Sequence, residues 1–250
     1  MLQYRGCVEL GGLYYCGIPL PRPDRPWLTD LSVLSPVPGL PVGNIPNFTQ
    51  EPEWSAWRLG DTPADSACRL RWHWLELEDS TLLVCDRVIL VRVSWQDLDQ
   101  AGWVKGHPLE LDGRIWSGRL LGGGNLERLE CDGYSGAQPR TNEWDGIVAN
   151  ELQIEGLPVP SASDLRKTLD MTSLSSAHNL FWNWVAVNSW TREPHATRPT
   201  ARCCRGYASA NFFYTNTVDH RHEDIGWRPV LEISASHLAF QPHNLSPSAL

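Results

Sequence analysis

The feature that most constrains the fold is a series of short apolar runs between Arg69 and Leu121. RLRWHWLEL, residues 69–77, alternates between polar and apolar side chains, and TLLVCDRVILVRVSW, residues 81–95, contains two β-branched apolar runs. HPLELDGRIWSGRLL, residues 107–121, places Asp112-Gly113 between two further runs, and Asp-Gly is a favoured two-residue hairpin turn. A period of two residues is typical of strands. We therefore predict an antiparallel sheet with a hairpin turned at Asp112-Gly113.

A Pro-rich region precedes these strands, from Gly17 to about Pro63. Proline removes a backbone donor and breaks helices, so we expect residues 1–68 to form an extended, irregular arm held by aromatic anchors. The anchors would be Trp27, Phe48, Trp54 and Trp57. The arm either packs on its own domain or docks on a neighbouring subunit. Aromatic side chains separated by prolines favour a role in homo-oligomer or particle assembly, with residues before Asp65 dispensable for folding.

Two helices are predicted after the strands. In PRTNEWDGIVANEL, residues 139–152, Thr141 or Asn142 can cap the helix and the apolar side chains fall on one face. A second helix is expected over SASDLRKTLDMT, residues 161–172, with Ser161 or Ser163 as its cap.

Charge and cysteine content exclude several classes of protein. The net charge is −8 and the chain has only two lysines, so a basic nucleic-acid-binding face is not expected. The seven cysteines are scattered without a CxxC pair, which argues against a disulfide framework and a structural zinc site. No apolar window is long enough for a membrane span, and the first residues do not resemble a signal peptide.

Three motifs resemble the formylglycine-generating-enzyme-like branch of the C-type-lectin fold. QPRTNEWDGIV resembles that branch's LPTEAEWEYAA helix, and NLFWNWVAVNSW resembles its NVWEWTxDWY strand. RCCRGYAS followed by IGWRPVLEI resembles its RVxRGGSW…GFRxV ending. The matching residues are Pro139, Glu143, Trp144, Asn179, Trp182, Trp184, Arg202, Arg205, Gly206, Gly226 and Arg228.

The resemblance implies an α+β, C-type-lectin-like domain over residues 69–235, with two helices flanking a small antiparallel sheet. The arm, residues 1–68, would precede it and a tail, residues 236–250, would follow. Trp144, Trp182 and Trp184 are expected in the core. Arg205 and Arg228 are expected to pair with acidic residues, because buried arginines need such partners. The expected partners are Glu143, Asp145 and Glu232.

Enzymatic activity is not expected. Oxidases of the resembled branch hold copper with two cysteines after the RGGS segment, and aligning on Arg205-Gly206 puts those positions near Asn211 and Asn216. Cys203 and Cys204 precede the Arg-Gly pair, and adjacent strand residues point to opposite faces. His220 and His222 have strand spacing but lack an identifiable third metal ligand. No cofactor or metal is therefore predicted.

The stretch from Tyr207 to His222 is instead predicted to form a recognition surface. Tyr207, Ser209 and Asn211 alternate with two alanines, as on one face of a strand. The mixture of Tyr, Asn, Ser and Thr is typical of antibody loops. The predicted ligand-binding residues are Asn183, Asn188, Trp190, Tyr207, Ser209, Asn211, Tyr214, Asn216, Asp219 and His220.

A composition of this kind near the C-terminus also resembles the variable proteins of diversity-generating retroelements, in which adenine-directed mutagenesis produces Asn, Tyr, Ser, Asp, His and Thr. The resemblance implies a non-enzymatic protein that recognises a protein or glycan receptor, as a phage tail, fibre or particle-surface component. A cytoplasmic ligand-binding sensor is the alternative. The expected location is a virion or particle surface, or otherwise the cytoplasm.

Overall fold

The computed structural model describes residues 2–24, 44–128, 136–166 and 176–234. Sixteen strands are found in these ranges. They are β1 (Gln3–Glu9), β2 (Gly12–Tyr15), β3 (Ile18–Pro19), β4 (Trp57–Gly60), β5 (Arg71–Glu76), β6 (Ser80–Cys85), β7 (Leu90–Val91), β8 (His107–Leu111), β9 (Arg114–Leu120), β10 (Leu126–Glu127), β11 (Ala137–Gln138), β12 (Asn188–Pro194), β13 (Ala201–Gly206), β14 (Phe213–Thr217), β15 (Ile225–Trp227) and β16 (Pro229–Ser234).

The largest sheet is antiparallel, with the strand order β1-β5-β6-β16-β9-β8. Both of its faces are covered. Leu83 of β6 and Leu231 of β16 lie in one buried cluster, whereas Leu82 and Val84 lie in a second cluster on the opposite face. Because β6 is buried on both sides, its sequence is a continuous apolar run rather than an alternating one.

The hairpin prediction is confirmed. Strands β8 and β9 pair in register around Asp112 and Gly113, whose φ angles are 50° and 73°. Two consecutive positive φ angles are the geometry that Asp-Gly favours in a two-residue hairpin turn. The predicted strands at residues 69–77 and 81–95 are also present, as β5, β6 and the short β7.

A second sheet joins four strands near the C-terminus to β7, in the order β14-β13-β12-β15-β7. Strands β12 and β15 are parallel, while the other pairs are antiparallel. The six-residue helix α1 (Trp95–Gln100) packs beside this sheet. Ser94 and Asp97 form a reciprocal capping box at its start. A three-stranded sheet, β3-β2-β4, and the pair β10-β11 complete the described strands.

The expected α+β fold, with two helices flanking a small sheet, is wrong. The protein is mostly β, with 39% strand and 12% helix. Apart from short 3-10 turns, the helical residues of the described ranges belong to α1, a π-helix (Trp144–Val148) and α2 (Ser176–Trp182). None of the three is longer than seven residues, although the π-helix and α2 pack on one face of the six-stranded sheet.

The predicted helix at residues 139–152 is shortened by its own polar side chains. The Asp145 carboxylate turns inward and accepts hydrogen bonds from Asn142 Nδ2 and the backbone N–H of Ala137, both at 2.8 Å. Asn150 then adopts a φ of 51°, which ends the helix. Of the second predicted helix, residues 161–166 form turns, in which Ser161 and Asp164 cap each other. Residues 167–172 lie outside the described ranges.

The division into an arm, residues 1–68, and a domain starting at residue 69 is also corrected. Strand β1 pairs along β5 at the edge of the six-stranded sheet, and β4 pairs with β2. Phe48 and Trp57 are buried and Trp54 packs on the same cluster, so these anchors fill this chain's own core rather than a neighbour's. Removing the residues before Asp65 would therefore disrupt the fold. Trp27 and the tail, residues 236–250, lie outside the described ranges.

Candidate functional site

The ten predicted binding residues lie mostly on three neighbouring strands and the segments that join them. Trp190 of β12 pairs with Cys204 of β13, and Cys204 pairs in turn with Tyr214 of β14. The sheet thus brings distant parts of the sequence together. The ten residues nevertheless differ in their exposure to solvent.

Five of the ten residues are buried, which corrects their assignment to an exposed surface. They are Asn183, Asn188, Trp190, Ser209 and Asn211. Asn183 Nδ2 donates to the carbonyl of Asp86 at 3.0 Å, and Trp190 Nε1 donates to the carbonyl of Val93 at 2.9 Å. The Ser209 hydroxyl donates to Asn211 Oδ1 at 2.8 Å. These hydrogen bonds satisfy internal polar groups, and none of them faces a ligand.

The alternation expected at residues 207–211 fails because β13 ends at Gly206. Gly206 and Tyr207 have φ angles of 96° and 77°, which turn the chain out of the sheet. The following loop, residues 207–212, folds inward. Two hydrogen bonds, both 2.7 Å long, hold its backbone. The Tyr207 N–H donates to the carbonyl of Trp184, and Trp144 Nε1 donates to the carbonyl of Ala210.

Arg205 is the main internal partner of this loop. Its guanidinium is fully buried, and it donates to the carbonyl of Phe212 at 2.9 Å and to that of Asn211 at 3.1 Å. It also donates to the carbonyl of Gly123 at 2.7 Å and forms an ion pair with Asp145. The predicted pairing of Arg205 with Asp145 is confirmed. A buried guanidinium with this many partners joins β13, the loop and the π-helix.

The residues that carry the family resemblance lie around this centre. Trp144, Trp182 and Trp184 are fully buried, as predicted. The guanidinium carbons of Arg205 and Arg228 lie 5.7 and 5.6 Å from the centroid of the Trp144 ring. These motif residues therefore form the internal framework of the site.

Arg228 differs from the expectation. Within the described residues it has no carboxylate partner and donates instead to the carbonyls of Cys85, Trp182 and Asn183 and to the Ser189 hydroxyl. Burial lowers its pKa to about 10. The expected partners Glu143 and Glu232 both bind Arg119.

The remaining predicted residues keep solvent access. The Tyr214 side chain is 52% exposed and stacks on Phe212, with ring centroids 6.0 Å apart. Asn216 follows two positions later on the same side of β14 and is partly exposed. Asp219 is exposed, and His220 and Tyr207 are partly exposed.

The loop after β14, residues 218–224, links these groups across the sheet. It is anchored by Gln96 N–H to the carbonyl of Val218 at 2.9 Å and by Arg221 to the Asp97 carboxylate at 2.6 Å. The rings of His220 and His222 stack at 6.0 Å, and His222 Nδ1 lies 2.8 Å from Asp224 Oδ1. This loop therefore has a defined conformation.

The surroundings of Asp219, His220 and Tyr207 shift the pKa values of these three groups. The hydrogen bond of the Thr217 side chain holds the pKa of Asp219 below its usual range. Burial, reinforced by the charge of His222, lowers the pKa of His220. Burial raises the pKa of the Tyr207 hydroxyl, and the Asp224 carboxylate adds to this effect. At neutral pH the loop thus presents an ionised Asp219 beside a neutral His220.

We define the β14 surface as seven of the partly or fully exposed residues of β14 and the loop that follows it. Its members are Tyr214, Thr215, Asn216, Thr217, Asp219, His220 and His222. Thr215, Thr217 and His222 were missed as site residues. Thr215 and Thr217 alternate with Tyr214 and Asn216 and so lie on the other face of β14, while His222 is two positions from His220.

Cys203 and Cys204 point to opposite sides of β13, as expected, and both are buried. Over the described ranges, no group of three or more His, Cys, Asp or Glu side chains is arranged to hold a metal ion. In the same ranges, no helix is long and apolar enough to cross a membrane. No protein-family model matches the chain, and comparison with curated proteins and with solved structures finds no match either.

Proposed function

We propose that this protein is a non-enzymatic recognition protein that binds a receptor through the β14 surface. The observation that carries this proposal is the division of a segment of mixed polar and aromatic composition into a buried loop and an exposed strand edge. The buried loop uses its polar groups internally. The side chains of the β14 surface keep solvent access and can contact another molecule, even where they also touch each other or a neighbour, as Tyr214 does Phe212.

The chemistry of the β14 surface suits protein recognition. Tyr214 supplies a large, rigid contact area, and Asn216 and the two threonines supply short hydrogen-bonding groups. Among the described strands, β14 pairs only with β13 and so lies at the edge of its sheet. The outer edge of such a strand presents backbone donors and acceptors to which an extended peptide can add. We therefore favour a protein receptor over a glycan.

The proposal is tested by combining Tyr214→Ala, Asn216→Ala, Asp219→Ala and His220→Ala in one variant. The matched control replaces three exposed residues of the β8–β9 hairpin, Glu110→Ala, Ile115→Ala and Ser117→Ala. Both variants and the wild-type protein are applied to immobilised extracellular protein domains and to a glycan array.

The wild-type protein is expected to bind a protein target. The β14 variant should lose about tenfold or more in affinity, because aromatic residues contribute much of the binding energy at protein interfaces. The hairpin control should bind as the wild type does. Equal losses in both variants, or full binding by the β14 variant, would refute the assignment of the surface. Binding to glycans alone would refute the choice of a protein receptor.

A further inference from the structure

A cavity of about 570 Å³ lies between strand β5 and helix α2, away from the β14 surface. Cys7, Arg71 and His73 contribute polar groups to its lining, and Leu180 and Phe181 contribute apolar ones, with the Phe181 ring stacked on His73 at 3.8 Å. Its volume is within the range of small-molecule sites, about 300–1,000 Å³. The lining residues Gly156 and Ala177 are exposed, which gives the cavity an opening to solvent.

The lining residues His73 and Cys7 form a hydrogen-bonded group with Tyr4. His73 Nε2 lies 2.8 Å from the carbonyl of Phe181. A carbonyl can only accept, so Nε2 carries the hydrogen and Nδ1 is the acceptor. The thiol of Cys7, at 3.2 Å, then donates to Nδ1, while the Tyr4 hydroxyl lies 3.3 Å from Cys7 Sγ. Burial lowers the pKa of His73 to about 4 and raises that of Cys7, so both are uncharged at neutral pH.

The cation in the lining of the cavity is Arg71. Asp86 also lines the cavity, but its two carboxylate oxygens accept from Arg87 at 2.7 and 2.6 Å. Within the described ranges, the Arg71 side chain has neither a hydrogen bond nor an ion pair, and its Nε is shielded from solvent. A buried polar atom without a partner is unfavourable, and a guanidinium binds carboxylates with paired hydrogen bonds.

The cavity is also lined by apolar side chains, those of Leu157, Pro158, Leu180 and Phe181. A ligand that complements both Arg71 and these side chains must carry a negative charge at one end and hydrocarbon at the other. A phosphate fits less well, because a single cation would have to neutralise it next to apolar side chains.

We infer that this cavity binds a small carboxylate with an apolar tail. Its carboxylate pairs with Arg71, and its tail lies against Leu157, Leu180 and Phe181. The inference is independent of receptor binding at the β14 surface, since it uses none of the same residues.

The test titrates the full chain with butanoate, hexanoate and octanoate by calorimetry, with hexan-1-ol and hexylammonium as uncharged and cationic counterparts of hexanoate. Alkylation of Cys7 by iodoacetamide, read by peptide mass, reports occupancy of the cavity. Cys16, an exposed thiol elsewhere in the chain, is the internal reference. At least one carboxylate should bind saturably and slow the alkylation of Cys7 relative to that of Cys16.

The Arg71→Gln variant should lose about tenfold or more in affinity, because a charge-assisted hydrogen bond is removed. Arg58→Gln, at an exposed arginine of β4, is the matched control and should bind as the wild type does. Ala177→Phe narrows the cavity from an exposed helix position without altering Arg71, and it should weaken binding even if Arg71→Gln fails to fold. The absence of saturable binding by all three carboxylates, equal binding of hexanoate and hexylammonium, or full affinity in Ala177→Phe would overturn the inference.

Discussion

The loop at residues 207–212 and strand β14 have similar compositions but opposite environments. Both contain Asn, Tyr or Phe and a hydroxyl residue, yet Asn211 is 8% exposed and Tyr214 is 52% exposed. The loop turns inward at Gly206, whereas β14 runs along the edge of the sheet. Polar composition alone therefore does not distinguish an internal polar network from a binding surface.

The difference follows from where the backbone hydrogen bonds are made. In β14 the backbone pairs with β13, so its side chains are not needed to satisfy main-chain groups. The inward loop has a single bridge to Val185, at Tyr207, among the described residues, and side chains supply several of the donors to its carbonyls. Arg205 bonds the carbonyls of Asn211 and Phe212, and Trp144 bonds that of Ala210.

The largest effect on stability is expected from replacing Arg205, which binds the inward loop. Arg205→Leu should lower the free energy of unfolding by about 3–5 kcal/mol, because part of the Asp145 charge and three carbonyls would lose a buried donor. Arg192→Leu, at an exposed ion pair with Glu193 on β12, should cost less than about 1 kcal/mol. Urea unfolding measures both. Similar losses in the two variants would show that Arg205 is not central to the fold.

The buried His73 and the partly exposed His220 are expected to contribute differently to the pH dependence of stability. Burial lowers the pKa of His73 from 6.5 to about 4. The unfolded chain therefore binds more protons between these values, so stability is complete above about pH 6.5 and is lost as the pH falls towards 4. At about 1.4 kcal/mol per unit, the loss is about 3 kcal/mol. The charged or titratable groups that influence His73 are Asp86, Arg71 and Arg228, with Tyr4 and Cys7 in contact.

Unfolding followed from pH 7 to pH 4 should show a shallower decline for His73→Gln than for the wild type. His220→Gln, in the β14 surface, should leave most of the decline in place, because His220 is only partly buried. His178, also buried with a lowered pKa, contributes a further decline that both variants retain. An unchanged pH dependence in His73→Gln would exclude His73 as its source.

The sequence predicted the parts of the fold that depend on local chemistry. The hairpin at Asp112-Gly113 follows from turn geometry, and the burial of Trp144, Trp182 and Trp184 follows from their size. The Ser94 to Asp97 capping box also marks the start of α1, although that helix was not predicted. These features depend on residues close together in the chain.

The parts that were wrong depend on long-range contacts. Arg205 reaches the carbonyl of Gly123, 82 positions away, and this contact fixes the inward loop. Strand β1 pairs with β5 across more than 60 residues, so the N-terminal region joins the main sheet. The cavity was missed for the same reason, because Cys7 and His73 come together only through that strand pairing. A pattern of neighbouring residues in the sequence does not predict contacts of this kind.

The buried positions also bear on the resemblance to diversified proteins. Asn183, Asn188, Ser209 and Asn211 belong to the residue types that adenine mutagenesis produces, yet they make or line internal contacts. We expect variation at these positions to be restricted by stability. Variation at Tyr214, Asn216, Asp219 and His220 would be tolerated.

A smaller difference in stability is expected between replacing Ser209 in the inward loop and replacing Thr217 in β14. Ser209→Ala should lower the free energy of unfolding by about 1–2 kcal/mol, because Asn211 Oδ1 would lose its donor in a buried site. Thr217→Ala, at the exposed end of β14, should change it by less than about 0.5 kcal/mol. Thermal unfolding of the two single variants tests this pair. A larger loss in Thr217→Ala would reverse the assignment of the two regions.

The central claim is that one polar segment contains both an internal scaffold and an exposed surface, and the free energy of unfolding of two matched variants tests it most directly. One combines Asn183→Ala and Ser209→Ala, which leave the Asp86 carbonyl and Asn211 Oδ1 without these buried donors, and the other combines Tyr214→Ala and Asn216→Ala. The first should lose more than about 2 kcal/mol through unsatisfied buried groups, and the second less than about 1 kcal/mol. Equal losses, or a larger loss in the second variant, would contradict the claim.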